Sequence, residues 1–595
     1  MKAAFQIFLF LFAGSSLVAQ QFYIRGEVKD ESGNPLQDVN ILLHATGYVY
    51  HTGSYGSFGI LTNRANDSLT FWLDGYQNEK RLVTPDKYVT VRLKLNSASS
   101  SYIHRNKLTS FTKGLNKDIQ KQWFTGDETY ASLIENHFVS ASKYPSTSMS
   151  LSIDRASYSN IRRFINTNTL VPPDAVRIEE MLNYFNETYS EPEPGKLFKT
   201  KSVLTGCPWN ADNELLFINV NSKKLILDTL PASNLVFLID ISGSMDMPNR
   251  LPLLQSAFRL LVNNLRAKDT VTIVVYGGIT GIKLNATSGA EKEKILKAID
   301  ELQPGGSTPG ESGIRMAYNA AQMHYIKGGN NRVILATDGD FNVGLKTEGE
   351  LDELISQRRN SGIYLTCLGV GMGNYKDSKI QTLSKKGNGN FAYLDNFHEA
   401  EKVLMTEFSQ TLYAVADNVS MNVEFGSDYV KEYRLIGFDN KVGALNDTAS
   451  MIEGGEIGSG HSMTVVFEIS PTDFTKDAVA RDFSPGNIVE IKLLYKMPHD
   501  TSQRQFVNSV PLVYTDFNSI DKQLRFSTAV IMFGSLLRSS GAARNISWND
   551  VLLLATQASD DNDPLEQEFV ALVKQAKTLY YRQKKKRKDY LTSNY

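Results

Sequence analysis

Cysteine is nearly absent: Cys207 and Cys367 are the two in 595 residues. That excludes a disulfide-stapled scaffold, which needs several bridges in a short chain. No Cys-x-x-Cys pair exists, so zinc-ribbon and thioredoxin-like chemistry is removed as well. One bridge between the two stays open in an oxidising compartment, because sequence does not give geometry. Charge of one sign is also missing, with 63 Lys and Arg against 64 Asp and Glu. No global field draws in nucleic acid or anionic lipid, and no nucleic-acid partner is expected. The basic run Lys584 to Lys588 has no aromatic or amphipathic support and reads as a solvated tail. No apolar run reaches the length of a membrane helix, and Ala529 to Leu537 is short enough to be a packed helix. Catalytic signatures are lacking too. His398-Glu399-x-x-Lys402 has no second His, and there is no Gly-x-Ser-x-Gly elbow. The chain is therefore not read as an enzyme.

What is present begins with Lys2, an apolar core from Phe5 to Phe12, and small residues leading to Ala19-Gln20-Gln21. This is the layout of a cleaved secretory signal over residues 1–20. It predicts an exported protein, periplasmic or at the cell surface, soluble after cleavage. With no Cys before Cys207, a lipoprotein is not expected. The length asks for several domains. Residues 22–95 alternate in short strands such as Ile24 to Val28 and Val39 to Leu43, with turn chemistry at Gly33-Asn34-Pro35, and predict a β-sandwich. Residues 96–149 are polar and Ser-rich, a linker expected to be extended and poorly packed. In residues 150–230, Ile178, Met181, Leu182 and Phe185 fall on one helical face. Residues 232–415 alternate strand and helix, which predicts a doubly wound α/β sheet with a last helix from Glu399 to Leu412. Residues 416–580 read as β-rich and then helical, and 581–595 as a basic tail.

The richest chemistry lies at Asp240-Ile-Ser242-Gly-Ser244. It follows the unbroken run Leu235 to Ile239, a strand buried on both faces of a parallel sheet. Ligands of such sheets sit beyond the carboxyl ends of the strands. Gly305-Gly306-Ser307-Thr308-Pro309-Gly310 presents a further hydroxyl, at Thr308, and Val333 to Thr337 ends at Asp338-Gly339. Clustered hard oxygen donors suit Mg²⁺ or Mn²⁺. Capping of the next helix is the plainer role for Asp240, and Asp246 lies outside the pattern. Gly369-x-Gly371-x-Gly373 departs from dinucleotide-loop spacing and reads as a strand-to-helix turn. His461 stands in a Gly-rich turn, where a structural hydrogen bond outweighs a general-base role.

The Asp-x-Ser-x-Ser loop, the later Thr308 and the Thr-Asp-Gly strand end together resemble the metal-ion-dependent adhesion site of von Willebrand factor A domains. That resemblance implies that Ser242 and Ser244 bind Mg²⁺ through their hydroxyls. Thr308 would act directly or through water, and Asp240 and Asp338 mostly through bridging waters. A protein ligand presenting Asp or Glu would then complete the shell. The order Gly26-x-Val28-x-Asp30-x-x-Gly33-x-Pro35, with Gly56-x-Phe58, is similar to noncatalytic carboxypeptidase-regulatory-like domains. Asp-x-Ala-Ser-Tyr from Asp154, Arg-Ile-Glu-Glu-Met from Arg177, Cys207-Pro-Trp and Gly455-Glu-Ile-Gly-x-Gly-His-Ser resemble exported bacterial von Willebrand A proteins of the YfbK type. A multidomain binding protein is implied; the alternatives are an envelope scaffold with a purely structural metal and, behind it, a metal-dependent hydrolase. The β segments on either side of residues 232–415 are expected to pair into one sandwich, with the A domain inserted between them. Asp154 is expected to pair with a C-terminal strand.

Overall fold

Six strands dominated by apolar residues build the sheet around which the larger part of the chain is organised. In the computed structural model, which describes residues 22–94, 107–110, 128–339 and 353–593 less short stretches that include 186–188, 227–229, 307–309 and 446–453, they run across the sheet as Gly281–Ser288, Thr270–Tyr276, Ser233–Asp240, Asn330–Thr337, Ile363–Val370 and Phe391–Leu394. Counted along the chain this is the order 3-2-1-4-5-6, and every pair is parallel except the outer one, Gly281–Ser288 on Thr270–Tyr276. The strand period of two sends alternate residues to opposite faces. Leu235, Phe237 and Ile239 join Leu254, Phe258 and Leu261 of the helix Leu251–Asn263 on one face. Val236 and Leu238 join Ile314, Ala317 and Tyr318 of the helix Gly310–Met323 on the other. The doubly wound expectation holds. The last helix begins two residues before the expected Glu399, and Gln410 and Leu412 at its far end are helical as well. Asn396 caps it by accepting the Glu399 N–H, and the α-helix Phe397–Glu401 passes into a π-turn, Lys402–Thr406.

Strands from before and after this domain share two sheets. One runs Lys441–Leu445, Lys107–Ser110, Ser146–Ser150, Ala414–Phe425, Asn487–Lys496 and Gln503–Pro511, with Gly455–Gly458 paired alongside Ala414–Phe425. The other runs Phe198–Gly206, Glu214–Ser222, Ser462–Pro471, Val430–Ile436 and Val139–Ser140. Met149, Leu216, Ile218, Met421, Val465 and Phe467 meet in the core between them. The α/β domain is thus an insertion into a β-sandwich. A correction follows for the stretch read as a poorly packed linker: Ser146–Ser150 is a buried strand, paired residue for residue with Ser420 to Glu424. Polarity misled here, because small hydroxyl side chains fit a sheet interior once paired. Asn422 donates to the Ser148 hydroxyl at 2.7 Å, and Met149 fills the core.

A helical layer completes this body. The helix Ile178–Tyr184 packs on Lys522–Arg538 at Gly534, where a Cβ would come within 2.9 Å of Ile178 Cγ1. Ala529 to Leu537 lies inside that packed helix, and among the described residues no helix is long and apolar enough to cross a membrane. Cys207 belongs to the helical-layer core and Cys367 to the α/β core, both as buried free thiols. The residues that would form a secretory signal lie outside the described ones.

Residues 22–94 fall in a separate compact unit. Its sheets, Ser57–Thr62, Phe22–Lys29 and Val89–Arg92, and Val49–His51, Asn40–Leu43, Asp67–Trp72 and Glu79–Val83, enclose one apolar cluster with Ile24, Ile41, Ile60, Phe71 and Val91.

One buried carboxyl gives the larger body a pH dependence. Burial pushes Glu214, at the start of its strand, up to about 7 from 4.5, and Lys476 offsets this only in part. The folded state therefore binds this proton more tightly than the unfolded chain. The associated stability is complete below about pH 4.5 and is lost as pH rises through about 7. Wild type is expected to melt at a lower temperature at pH 8 than at pH 6. Glu214→Gln should remove about 1.4 kcal/mol of the difference between pH 6 and pH 8, the share of a carboxyl moved from 4.5 to about 7. Parallel pH series of thermal midpoints check this, and identical slopes would refute it.

Candidate metal centre

The strand order places a switch point between Ser233–Asp240 and Asn330–Thr337, whose outgoing connections lead to opposite faces of the sheet, and ligands of such sheets bind beyond the carboxyl ends at that point. Asp240 and Asp338 stand there, both buried. Asp240 is fixed by three donors. Its Oδ1 accepts the Ser242 N–H at 2.9 Å, and its Oδ2 accepts the Tyr276 and Thr337 hydroxyls, each at 3.0 Å. Burial raises the Asp240 carboxyl to about 6; the Ser242 hydrogen bonds hold it down, and the charge of Asp338 pushes it further up. Helix capping does not account for it, since the helix Leu251–Asn263 starts eleven residues downstream and is flanked by Arg250.

Beyond Asp240 the chain turns through a short 3₁₀ segment, Gly243–Met245, anchored by buried Met245. The half-exposed Ser242 and Ser244 hydroxyls lie 3.1 Å apart. Adjacent ligands of an octahedral Mg²⁺ with bonds of about 2.1 Å stand about 3.0 Å apart. The pair therefore fits two neighbouring coordination positions. Two buried carboxylates against the one guanidinium that pairs with Asp338 leave a negative balance, which also favours a cation. Among the described residues no group of three or more His, Cys, Asp or Glu side chains could hold a metal.

Glycines let the loops touch backbone to backbone. Gly277 has φ of +108°, and a Cβ on it would lie 2.3 Å from the Ser242 nitrogen. The Gly243 N–H donates to the Gly306 carbonyl at 2.9 Å, and the Gly305 N–H to the Ile241 carbonyl at 2.7 Å. The structure thus brings Asp240, Ser242, Ser244 and Asp338 to one end of the sheet. Thr308 lies outside the described residues, two positions beyond Gly306. Asp246 is exposed.

Sequence reasoning missed four contributors: Tyr276, Thr337, the Gly277-Gly278 pair and Arg250. Thr337 stood inside the quoted Thr-Asp-Gly motif, so its hydroxyl was within reach of that reading; the others carried no local signal. The remaining candidates are structural. Gly371 and Gly373 take φ of +84° and +90° in a turn leading to the helix Asp377–Lys386. His461 is buried with its imidazole held well below its usual range by burial and by Arg155. The His461 backbone N–H donates to the Ser222 hydroxyl at 2.8 Å, and the Gly460 N–H donates to the Lys223 carbonyl at 3.0 Å. The neighbouring Ser459 N–H donates to the Tyr413 carbonyl at 2.9 Å, so this turn ties together both crossings between sandwich and insertion.

The other quoted motifs key the flanks to the α/β domain. Asp154 accepts the Phe391 N–H at 3.0 Å on the edge strand of that domain, a correction to its expected pairing with a C-terminal strand. Arg177 bridges Glu180 and Asp377, and buried Arg332 pairs with Glu456. Arg162 reaches Asp395, Glu399 and Glu568.

Comparison with known proteins gives three matching families. One described as von Willebrand factor type A domain matches residues 234–406, one described as uncharacterized protein YfbK, C-terminal, matches 410–579, and one described as von Willebrand factor matches 124–217. The uncharacterized protein YfbK of Escherichia coli K12 is 37% identical over 475 residues, which are 76% of this chain and 81% of that protein. Inter-alpha-trypsin inhibitor heavy chain H2 of Mus musculus is 26% identical over 204 residues, 33% of this chain and 21% of that protein. Among solved structures, a von Willebrand factor type A protein from Catenulispora acidiphila aligns with a TM-score of 0.39 at 12% identity, covering 63% of this chain and 88% of its own.

Proposed function

The chain belongs to the YfbK family of von Willebrand factor type A domain proteins, and from that premise we propose that it is an exported, noncatalytic binding protein whose A domain grips an acidic residue of a partner protein. The observation that carries this reading is the pair of Ser242 and Ser244 hydroxyls, 3.1 Å apart beyond an Asp240 already locked by three donors. Ser242, Ser244 and Thr308 would hold Mg²⁺ or Mn²⁺, with Asp240 and Asp338 behind them. Bound there, the ion would supply a hard Lewis-acid seat for a carboxylate. Neutral hydroxyls leave much of its charge uncompensated, which suits an anionic visitor. In this reading residues 1–20 are the export signal, the protein works in the periplasm or at the cell surface, and residues 22–95 are a noncatalytic carboxypeptidase-regulatory-like module.

Calorimetry with Mg²⁺, together with partner capture from envelope extract, tests the proposal. Uptake of one ion and capture reversed by chelator are expected, with both lost in Asp240→Ala and Asp338→Ala. Capture that survives chelator and both substitutions would overturn it.

A second reading, an envelope scaffold whose contacts are made by the β regions, draws on the buried ion pairs that bolt the A domain to its flanks. Capture unchanged by Ser242→Ala with Ser244→Ala, but lost on deleting residues 22–95, would favour it.

A further inference from the structure

Arg250 stands where the loop carrying Ser242 and Ser244 gives way to the helix Leu251–Asn263. It is only 5% exposed, and its fork reaches three segments. Nη1 pairs with Asp338 Oδ2 at 2.9 Å and also donates to the Ser244 carbonyl, while Nη2 donates to the Met372 carbonyl at 2.9 Å. Gly371 makes room for it, since a Cβ there would lie 2.6 Å from Arg250 Nε. The far end of that third segment is itself anchored: the Gly373 N–H donates to Glu128 Oε1 at 2.6 Å, and Glu128 is held by both terminal nitrogens of Arg163 at 2.8 Å. One guanidinium therefore keys the hydroxyl loop, the Asp338 strand end and the Gly371–Gly373 turn together. A planar fork suits this task where an ammonium would serve only one acceptor at a time.

Charge points the same way. Asp240 and Asp338 are both buried at the ends of neighbouring strands. A seat with two such carboxylates is strained whenever no cation occupies it. We propose that Arg250 is the resident counter-charge of the metal seat: it keeps Asp338 and the Ser244 carbonyl in place without a divalent ion, and its positive charge keeps the uptake of that ion weak enough to be reversible. This rests on the metal reading above. With two carboxylates and one guanidinium, a divalent ion leaves a surplus positive charge for an anionic partner; without Arg250 that surplus is gone. Arg250 is a positioning residue and contacts no ligand itself.

The test compares full-length wild type, Arg250→Gln, Asp338→Asn and the double variant, each melted in chelator and in millimolar Mg²⁺, with Mg²⁺ affinity measured by calorimetry on wild type and Arg250→Gln. Arg250→Gln should melt several degrees lower in chelator and recover most of the loss in Mg²⁺. Its Mg²⁺ affinity should be about tenfold higher, from removal of one nearby charge. The double variant should regain the lost midpoint in chelator, because the carboxylate that needed a counter-charge is gone. An equal loss in both buffers, an unchanged or weakened affinity, or a double variant that stays low would each overturn the proposal. Should Arg250→Gln fold in neither buffer, a double variant folded in chelator supports the proposal and an unfolded one overturns it. If wild type takes up no Mg²⁺, the metal reading fails, while the melts in chelator still decide whether Arg250 neutralises Asp338.

Discussion

Replacing Arg162 by alanine is expected to lower the unfolding free energy by about 3–5 kcal/mol, the cost of removing one partner from a buried charged cluster. Arg162 projects from the helix Ala156–Asn166, which precedes the A domain, into the end of that domain. It holds Asp395 through Nε at 2.8 Å and Nη2 at 2.5 Å, Glu399 at 2.7 Å, Glu568 at 2.8 Å and the Tyr184 hydroxyl at 3.2 Å. Glu568 is 40% exposed and turns to water at little cost, but Asp395 and Glu399 have no such escape. Burial already pushes both carboxyls above their usual range, with Arg162 pulling against it. Without the guanidinium each would rise further and hold its proton. The deficit should therefore grow as pH rises from about 5 to 8 and shrink in acid. Arg162→Lys should fall between, since an ammonium replaces the charge but not the fork. Urea unfolding at the two pH values measures this, and a loss under about 1 kcal/mol would mean that water already satisfies the cluster.

Joint substitution of Ser242 and Ser244 by alanine is expected to weaken Mg²⁺ uptake more than about 100-fold, since outer-shell partners alone account for about 10–100-fold. The two hydroxyls are half-exposed, and what their loss removes is one hydroxyl contact from Ser242 to the Asp240 carboxyl, so the melting temperature in chelator should fall only slightly. Asp240→Ala should behave differently. It strips the acceptor from the Tyr276 and Thr337 hydroxyls, both on buried residues, and should destabilise the protein even in chelator. In wild type, Mg²⁺ at about 100 times its dissociation constant should add about 2.7 kcal/mol of stability. The double Ser variant should keep less than about 0.5 kcal/mol of that gain. A full gain in the double variant would place the ion elsewhere.

Periodicity made the A domain legible, because Leu235 to Ile239 and Val333 to Thr337 are too apolar for any but doubly covered strands. Chain order along those strands then located the switch point, and with it Asp240, Ser242, Ser244 and Asp338. What could not be read was long-range pairing. Arg332 with Glu456, or Arg250 with Asp338, leaves no local trace, since each partner is ordinary in its own window. The Ser146–Ser150 strand failed for a related reason: composition records polarity, while burial depends on the Ala414–Phe425 strand, which arrives more than 260 residues later. The short motifs around Asp154, Arg177 and His461 were visible as patterns, but their purpose emerged only as fastenings between separate stretches of chain.

The turn at Ser459–His461 has a mechanical consequence. It receives the chain where it leaves the sandwich, at Ser222 and Lys223, and again where it returns, at Tyr413. Tension on the surrounding strands is passed across this clasp from one crossing to the other and bypasses the inserted domain. A domain inserted in this way can be loaded through the sandwich strands without its own sheet being pulled out of shape.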